Sequence, residues 1–393
     1  MAGVLLVRAG RAIVSISLLV ALVLTALVGS GRAEPPKKWT FDILSPTTGR
    51  GAAYAIDYVI GMNLAAKDIN ATGGINGKPV EMVFHDTQTD ITQAVSIAKQ
   101  LCEKGVQILI GPELSTEAES VFPVVNRLEC PTLGPVPAKA GLTAASRPWT
   151  FVTCATATSL TPSGVNQFME ITKPKSAVVV IDKSDPSASL QGDLSVSTLR
   201  AKNVKVETIG VTKDDIEFSS VVVRIAALNP DVIVISTLDR PAMGVVEELT
   251  KQRLRKTPIL VTQAGFTPAL VRLGAEELEG VYIYSEFWAG NPNPRVQEFV
   301  RKFKEVRNGE MPTHFAALAY DAIYVVKSVL EKGHITGDPA KLKAERIAIR
   351  DGLQGLKNFP GLTGNITIAS NGEPDKASYL LVFRKGVLAK EGK

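Results

Sequence analysis

The segment Ile108 to Ser115 joins three features that suit a small anion: a short apolar run, a Gly111-Pro112 turn and a polar loop before a helical stretch. In an open α/β sheet, ligands bind outside the carboxyl ends of strands, where loops lead into helices. The N–H groups at a helix start favour negative charge, and Ser115 adds a hydroxyl that can donate to a carboxylate. Ser115 or Thr116 also suits a plain N-cap. His85 ends an expected strand, where it reads as a base, a ligand contact or an ordinary loop residue; the other histidines are His314 and His334. Asp86 and Asp90 suggest a carboxylate pair, but the charges expected at a helix start account for them. Gly73-Gly74 with Gly77 leads into a strand rather than a helix, so it is not a phosphate loop. No GxSxG, P-loop or HExxH is present. The expectation is a binding protein without catalytic residues, cofactor or metal.

The elements that must position these residues alternate. Strands are expected at Trp39 to Leu44, Pro79 to His85, Val106 to Ile110 and Thr132-Leu133, with helices at Val59 to Ile69, Thr92 to Glu103 and 117–128 between them. The middle of the chain repeats the alternation. Ser176 to Ile181, Val204 to Val211, Asp231 to Ile235 and Pro258 to Thr262 read as strands, and Leu190 to Lys202, Phe218 to Leu228 and Met243 to Gln252 as helices. The continuous apolar run of 176–181 is the pattern of a parallel strand buried on both faces. Such alternation implies parallel sheets with helices on both faces. There are too many strands for one ordinary sheet, which implies two similar lobes. The Thr- and Ser-rich stretch Thr153 to Ser163 is the expected first crossing between them. Later helices at Pro294 to Arg307 and Phe315 to Glu331, a turn-back at 359–368 and a last strand at Ser378 to Val387 must join lobes already begun. Each lobe is therefore discontinuous: 38–156 with 286–372, and 157–285 with 373–393.

A chain of 393 residues, 45% hydrophobic and 21% charged, has ample material for such cores. Arg8 and Arg11, the uncharged apolar run Ala12 to Val28 and the small residues of Gly31-Arg32-Ala33 read as a secretory signal peptide over 1–33, cut after Ala33. Its removal takes three of the 44 basic residues and none of the 39 acidic ones, which lowers the net charge from +5 to +2. No basic patch with interleaved aromatics suggests nucleic acid. Three cysteines in an exported chain leave two readings: one bridge between Cys102 and Cys130, or three buried thiols.

Several stretches, in order, carry a resemblance. They are Ser45-Pro46-Thr47-Thr48-Gly49, the run Ala65 to Gly77 with its Asn-x-x-Gly-Gly-Ile-Asn-Gly core, Asp90 to Val95, Ile110-Gly111-Pro112 with Ser115, Asp214 to Phe218, Asn229-Pro230-Asp231, Glu279 to Tyr282 and Ala319 to Ala322. Over residues 38–390 the chain resembles the periplasmic solute-binding proteins of branched-chain amino acid ABC transporters, the leucine/isoleucine/valine type. The resemblance implies a type I periplasmic binding fold: α/β, with two Rossmann-like lobes of parallel sheet joined by a multi-strand hinge. It implies a solute in the cleft, delivery to a membrane permease, a periplasmic location and a monomer. An extracytoplasmic sensor module and an amide or amino-acid binder share the same fold.

The resemblance also assigns a ligand site. Ser115, next to Leu114, occupies the carboxylate-binding serine position, and Val136, Pro137 and Ala138 occupy the second ligand segment of the first lobe. Val136 and Ala138 leave only backbone groups there, and Pro137 has no N–H. In the second lobe the usual Tyr-Gly appears as Pro186-Ser187, a usual Tyr falls at about Leu238, and the acid that pairs with the ligand's amino group falls at about Ala264. A buried ammonium needs a negative or strongly accepting partner. The expected ligand is therefore a small aromatic or aliphatic carboxylate in preference to a branched-chain amino acid. Arg50 reads as a second carboxylate contact or a solvated rim residue, and Tyr54 as an aromatic wall or a core residue.

Overall fold

A computed structural model describes residues 35–391 apart from 213, 267–269, 271–274, 375 and 377. The signal peptide expected at 1–33 lies outside the described residues.

The first sheet has the order β2-β1-β3-β4-β5, parallel throughout. Its strands are β1 (Trp39–Ser45), β2 (Val80–Asp86), β3 (Leu109–Ile110), β4 (Thr132–Gly134) and β5 (Thr150–Val152). Helices α1 (Ala52–Ala71), α2 (Ile91–Lys104) and α3 (Ser115–Arg127) connect them. Local chemistry sets α2: the Asp90 side chain accepts from the Gln93 N–H at its start, and Gly105 takes the left-handed conformation at its end. A disulfide joins Cys102 of α2 to Cys130 just past α3, with Cα atoms 5.8 Å apart, and Cys154 is a buried free thiol.

The chain then crosses to a second sheet, of order β14-β13-β10-β9-β8-β6-β7. Its members are β6 (Ser176–Asp182), β7 (Lys205–Val211), β8 (Val232–Ser236), β9 (Ile259–Val261), β10 (Val281–Ser285), β13 (Tyr379–Arg384) and β14 (Val387–Lys390). β7 through β10 are parallel, while β13 and β14 run antiparallel at the edge. The Lys385-Gly386 turn, both residues at positive φ, folds β14 back on β13. The interior strands are apolar on both faces, as helices α4 (Ala157–Thr172), α5 (Pro186–Ala201), α6 (Ser219–Leu228) and α7 (Asp239–Lys251) flank them.

Helix α4 corrects one expectation. The crossing expected over Thr153 to Ser163 is confined to 153–156, and the rest of that stretch is helix from Ala157. The Thr and Ser residues and the internal Pro162 hide it, while the buried Leu160, Val165, Phe168 and Met169 show its inward face.

After β10 the chain returns. Helices α8 (Pro294–Val306), α9 (His314–Lys332) and α10 (Leu342–Gln354) follow, then the two-stranded ribbon of β11 (Phe359–Gly361) and β12 (Gly364–Ile366). Buried apolar residues from 39–154 and 315–368 form one core, and those from 155–284 and 380–383 form the cores on the two faces of the second sheet. Helices α9 and α1 approach so closely that a Cβ on Gly61 would stand 2.1 Å from the Ala316 carbonyl oxygen. That approach sets the start of α9 beside the cleft.

Three segments cross between the lobes, near 155, 286 and 376. One buried ion pair ties all three: the Lys376 Nζ lies 2.9 Å from the Glu286 carboxylate, which also accepts from the Ala155 N–H. Both side chains are almost wholly excluded from water. Lys376 donates also to Thr363 Oγ1 at 2.8 Å. Among the described residues, no helix is long and apolar enough to cross a membrane.

Candidate ligand site in the cleft

The site is built where strands of the first sheet end. β3 stops at Ile110, and the chain turns through Gly111 at φ 96°. A Cβ there would meet the Leu44 carbonyl oxygen at 2.5 Å, so only glycine lets the loop lie against the end of β1. Leu114 is the N-cap residue of α3 and gives no side-chain cap, and Ser115 is the first helical residue. The capping role open to Ser115 in the sequence is thus not the one it takes. Its Oγ accepts instead from the Lys139 N–H at 3.3 Å, which fastens the loop after β4 to the start of α3. A hydroxyl that accepts keeps its own hydrogen to donate. The side chain of Lys139 pairs with Glu119 on the outer face of α3.

A cavity of about 170 Å³ opens at this point between the lobes. It is smaller than the roughly 300–1,000 Å³ of pockets for drug-sized molecules. The first lobe contributes Arg50, Tyr54, Leu114, Ser115, Val136 and Ala138 to its wall. The second lobe contributes Leu238 and Ala264. Eight of the ten site residues assigned from the sequence are thereby brought together. Pro137 and Pro186 are not part of the wall. The Pro137 carbonyl accepts from the thiol of Cys154, itself a wall residue, at 3.2 Å, and Pro186 is spent as the first residue of α5. Its neighbours Asp185 and Ser187 face the cavity in its place.

Several wall residues were not assigned from the sequence. Glu113 stands in the β3–α3 loop itself. His314, Phe315 and Leu318 come from the start of α9, two hundred residues downstream, and Gln191 and Gln263 come from the second lobe. Gln191 is held from both sides: its Oε1 accepts from the Ala264 N–H at 3.2 Å and from the Tyr284 hydroxyl at 3.1 Å. The histidine is 3% exposed, and burial pushes its pKa down to about 3, so it is neutral. Its ring lies tilted against Phe315 at 4.1 Å and stacks on Phe266 of the second lobe at 5.4 Å. Tyr54 packs edge-on against Phe315 at 5.5 Å. Thus α9 supplies a flat, uncharged wall that meets the second lobe.

The charges sort into spent pairs and buried acids. Arg50 lies at the mouth, its guanidinium 3.0 Å from Asp214 of the second lobe, with both side chains about two-thirds exposed or more. Glu286 is paired with Lys376. Beneath the start of α3 lie Asp57, Glu113 and Glu117, each almost fully buried. Neutral hydroxyls serve them: Thr313 donates to Asp57, Ser45 to Glu113 and Thr87 to Glu117. Burial raises the pKa of all three, with Glu117 at about 7 and Glu113 well above the ordinary carboxyl range. His85 lies outside the cavity wall and pairs with Asp42 at 2.7 Å, while Asp86 accepts from the Thr48 N–H and hydroxyl. Among the described residues, no group of three or more His, Cys, Asp or Glu could hold a metal ion.

Three atoms on this wall have no hydrogen-bond partner although they are buried: Glu113 Oε1, Gln263 Nε2 and His314 Nδ1. The Ser115 hydroxyl and the N–H groups at the start of α3 give the first lobe a polar end in a cavity that also carries Asp185, Ser187 and Gln191 of the second lobe. A carboxylate is the group such uncharged donors recognise.

Comparison with known proteins agrees with this architecture. The chain is 23% identical over 305 residues to a Leu/Ile/Val-binding protein of Citrobacter freundii, covering 76% of this chain and 80% of that one. It superimposes with a TM-score of 0.79 and 22% identity on a branched-chain amino acid transporter substrate binding protein from Streptococcus pneumoniae in complex with isoleucine, covering 90% and 99% of the two chains. A solute binding protein of an ABC transporter from R. palustris, in complex with benzoate, gives the same TM-score at 20% identity, covering 90% and 96%. The model of the periplasmic binding protein family matches residues 41–387. The fold and this match over most of the chain place the protein in the periplasmic binding protein family.

Proposed function

We propose that this protein captures a small organic carboxylate in the inter-lobe cleft and hands it to the permease of an ABC importer. The observation that carries the reading is the polar end of the cavity, where Ser115 and the start of α3 offer donors without a cation and the walls are mostly apolar. The family supports transport, and its solved relatives of this shape hold isoleucine in one case and benzoate in another. Ala264 stands where the resemblance places the partner of an α-ammonium, which favours acids without an amino group. The protein binds its solute without turning it over, works as a monomer in the periplasm and leaves the cytoplasm through segment 1–33, cut near Ala33. Its lobes are 38–156 with 286–372, and 157–285 with 373–393, which close around the ligand about the three crossings.

A thermal-shift series on the chain beginning at residue 34 tests this. The acids are benzoate and isocaproate, which is leucine without its amino group; leucine, isoleucine and leucinamide are the comparison set. The expected result is a raised melting temperature with the plain acids and a smaller shift with leucine. A response to leucine or leucinamide, with none to the plain acids, overturns the preference.

A further inference from the structure

Glu113 lies two residues before Ser115 and lines the cavity, as do Glu286 at the hinge and Asp185 of the second lobe. It is 2% exposed. Its Oε2 accepts from the Ser45 hydroxyl at 3.2 Å, and its Oε1 has no partner. A buried carboxyl oxygen left bare on a ligand cavity is costly unless a ligand completes it.

The charge of this group follows from what faces it. Asp57 and Tyr58 face it from α1 and Glu117 from α3, with Asp86 and Asp90 acting on Glu117 from beyond β2. His314 at the start of α9 is neutral. At the hinge, Glu286 is balanced by Lys376; at the mouth, Arg50 is engaged by Asp214; across the cleft, Asp185 caps α5. Arg307 acts on Asp57, not on Glu113. Among the described residues no cation is left to hold Glu113 ionised, and burial and its acidic neighbours both favour its proton. Since Oε2 accepts from Ser45 and Oε1 has no partner, the proton belongs on Oε1.

We propose that Glu113 is a specificity-determining ligand contact, donating its Oε1 proton in a hydrogen bond to the carboxylate that Ser115 anchors. The inference rests on the carboxylate reading above. An acid–carboxylate hydrogen bond is short and strong, whereas an ionised Glu113 would repel the same ligand. The residue thus selects a monoanionic acid. It also ties capture to a proton, which stays on Glu113 throughout. An α-amino acid would require the reverse, an ionised Glu113 facing the ammonium.

Calorimetric titration with isocaproate and with leucine, across neutral to alkaline pH, separates the two. The wild type is expected to bind isocaproate with an affinity that falls toward tenfold per pH unit once Glu113 ionises in the free protein. Glu113→Gln keeps a donor and does not titrate. It is expected to retain neutral-pH affinity within about threefold and to lose the alkaline decline; Glu113→Ala is expected to lose about tenfold or more. A folded Glu113→Ala with wild-type affinity overturns the proposal, as does an alkaline decline that persists in Glu113→Gln. Leucine binding that strengthens with pH and vanishes in Glu113→Gln overturns it too. If neither isocaproate nor benzoate binds the wild type at any pH, the carboxylate reading itself fails, and this inference with it.

Discussion

At the residue scale, Ser115 and Glu113 share one loop, yet only one of them was legible in the sequence. Ser115 follows a strand that ends in Gly-Pro, a position whose neighbours imply an anion site whatever the rest of the chain does. Leu114, Val136 and Ala138 came from the family resemblance rather than from this local reasoning. Local reasoning could not reach Glu113, because a glutamate beside a helix start ordinarily points to water. What buries this one is α1, α3 and β1 closing around it, which no local pattern records. His314 and Gln263 are further from reach still, since each matters only through segments that meet across the cleft. Arg50 carried two readings, a second carboxylate contact or a solvated rim residue, and the structure gives it Asp214 in exposed surroundings at the cavity wall. Such an exposed pair contributes little, about 0–1 kcal/mol. In the proposed site, Ser115→Ala removes a neutral donor to a buried anion. Binding of isocaproate by this variant should weaken by about 1–3 kcal/mol, read by calorimetry at neutral pH. Loss of the Lys139 N–H acceptor is the accompanying structural cost, and the melting temperature without ligand measures it separately.

At the element scale, regular alternation made most strands and helices readable, because buried parallel strands are continuous apolar runs. The misread element, α4, has Ser, Thr and Pro where a surface helix usually carries better helix formers. Packing overrides that weak propensity: Gly164 lies so close to Tyr284 that a Cβ would sit 2.3 Å from its ring. The hinge was readable as a region but not as a device. Glu286 and Lys376 lie ninety residues apart, and nothing in either neighbourhood announces the pair. Breaking a buried ion pair leaves an uncompensated charge, which costs about 3–5 kcal/mol. Lys376→Met should lower unfolding stability by that order in chemical denaturation. Lys376→Met combined with Glu286→Gln should recover part of the loss, because no isolated charge remains. Equal losses in the single and double variants would show that the pair serves packing rather than charge.

At the scale of the whole molecule, the discontinuous lobes follow from chain order. A return to the first lobe after β10 and again to the second at β13 makes three crossings, and three crossings constrain relative motion to a bend about one axis. The cavity lies next to that axis, between two helix starts, α3 from one lobe and α5 from the other. His314 and Phe266 meet across the cleft, and in the proposed function a ligand favours such a closed arrangement through contacts of this kind. The central claim is that the cleft recognises a carboxylate by uncharged donors at the first lobe. A crystal structure of the protein with isocaproate measures this most directly. The account predicts the ligand carboxylate within hydrogen-bonding distance of Ser115 Oγ, Glu113 Oε1 and the first N–H groups of α3, with its aliphatic end among Tyr54, Leu238 and Phe315. A carboxylate bound instead at Arg50, or turned toward the second lobe with Ser115 and Glu113 untouched, would contradict it.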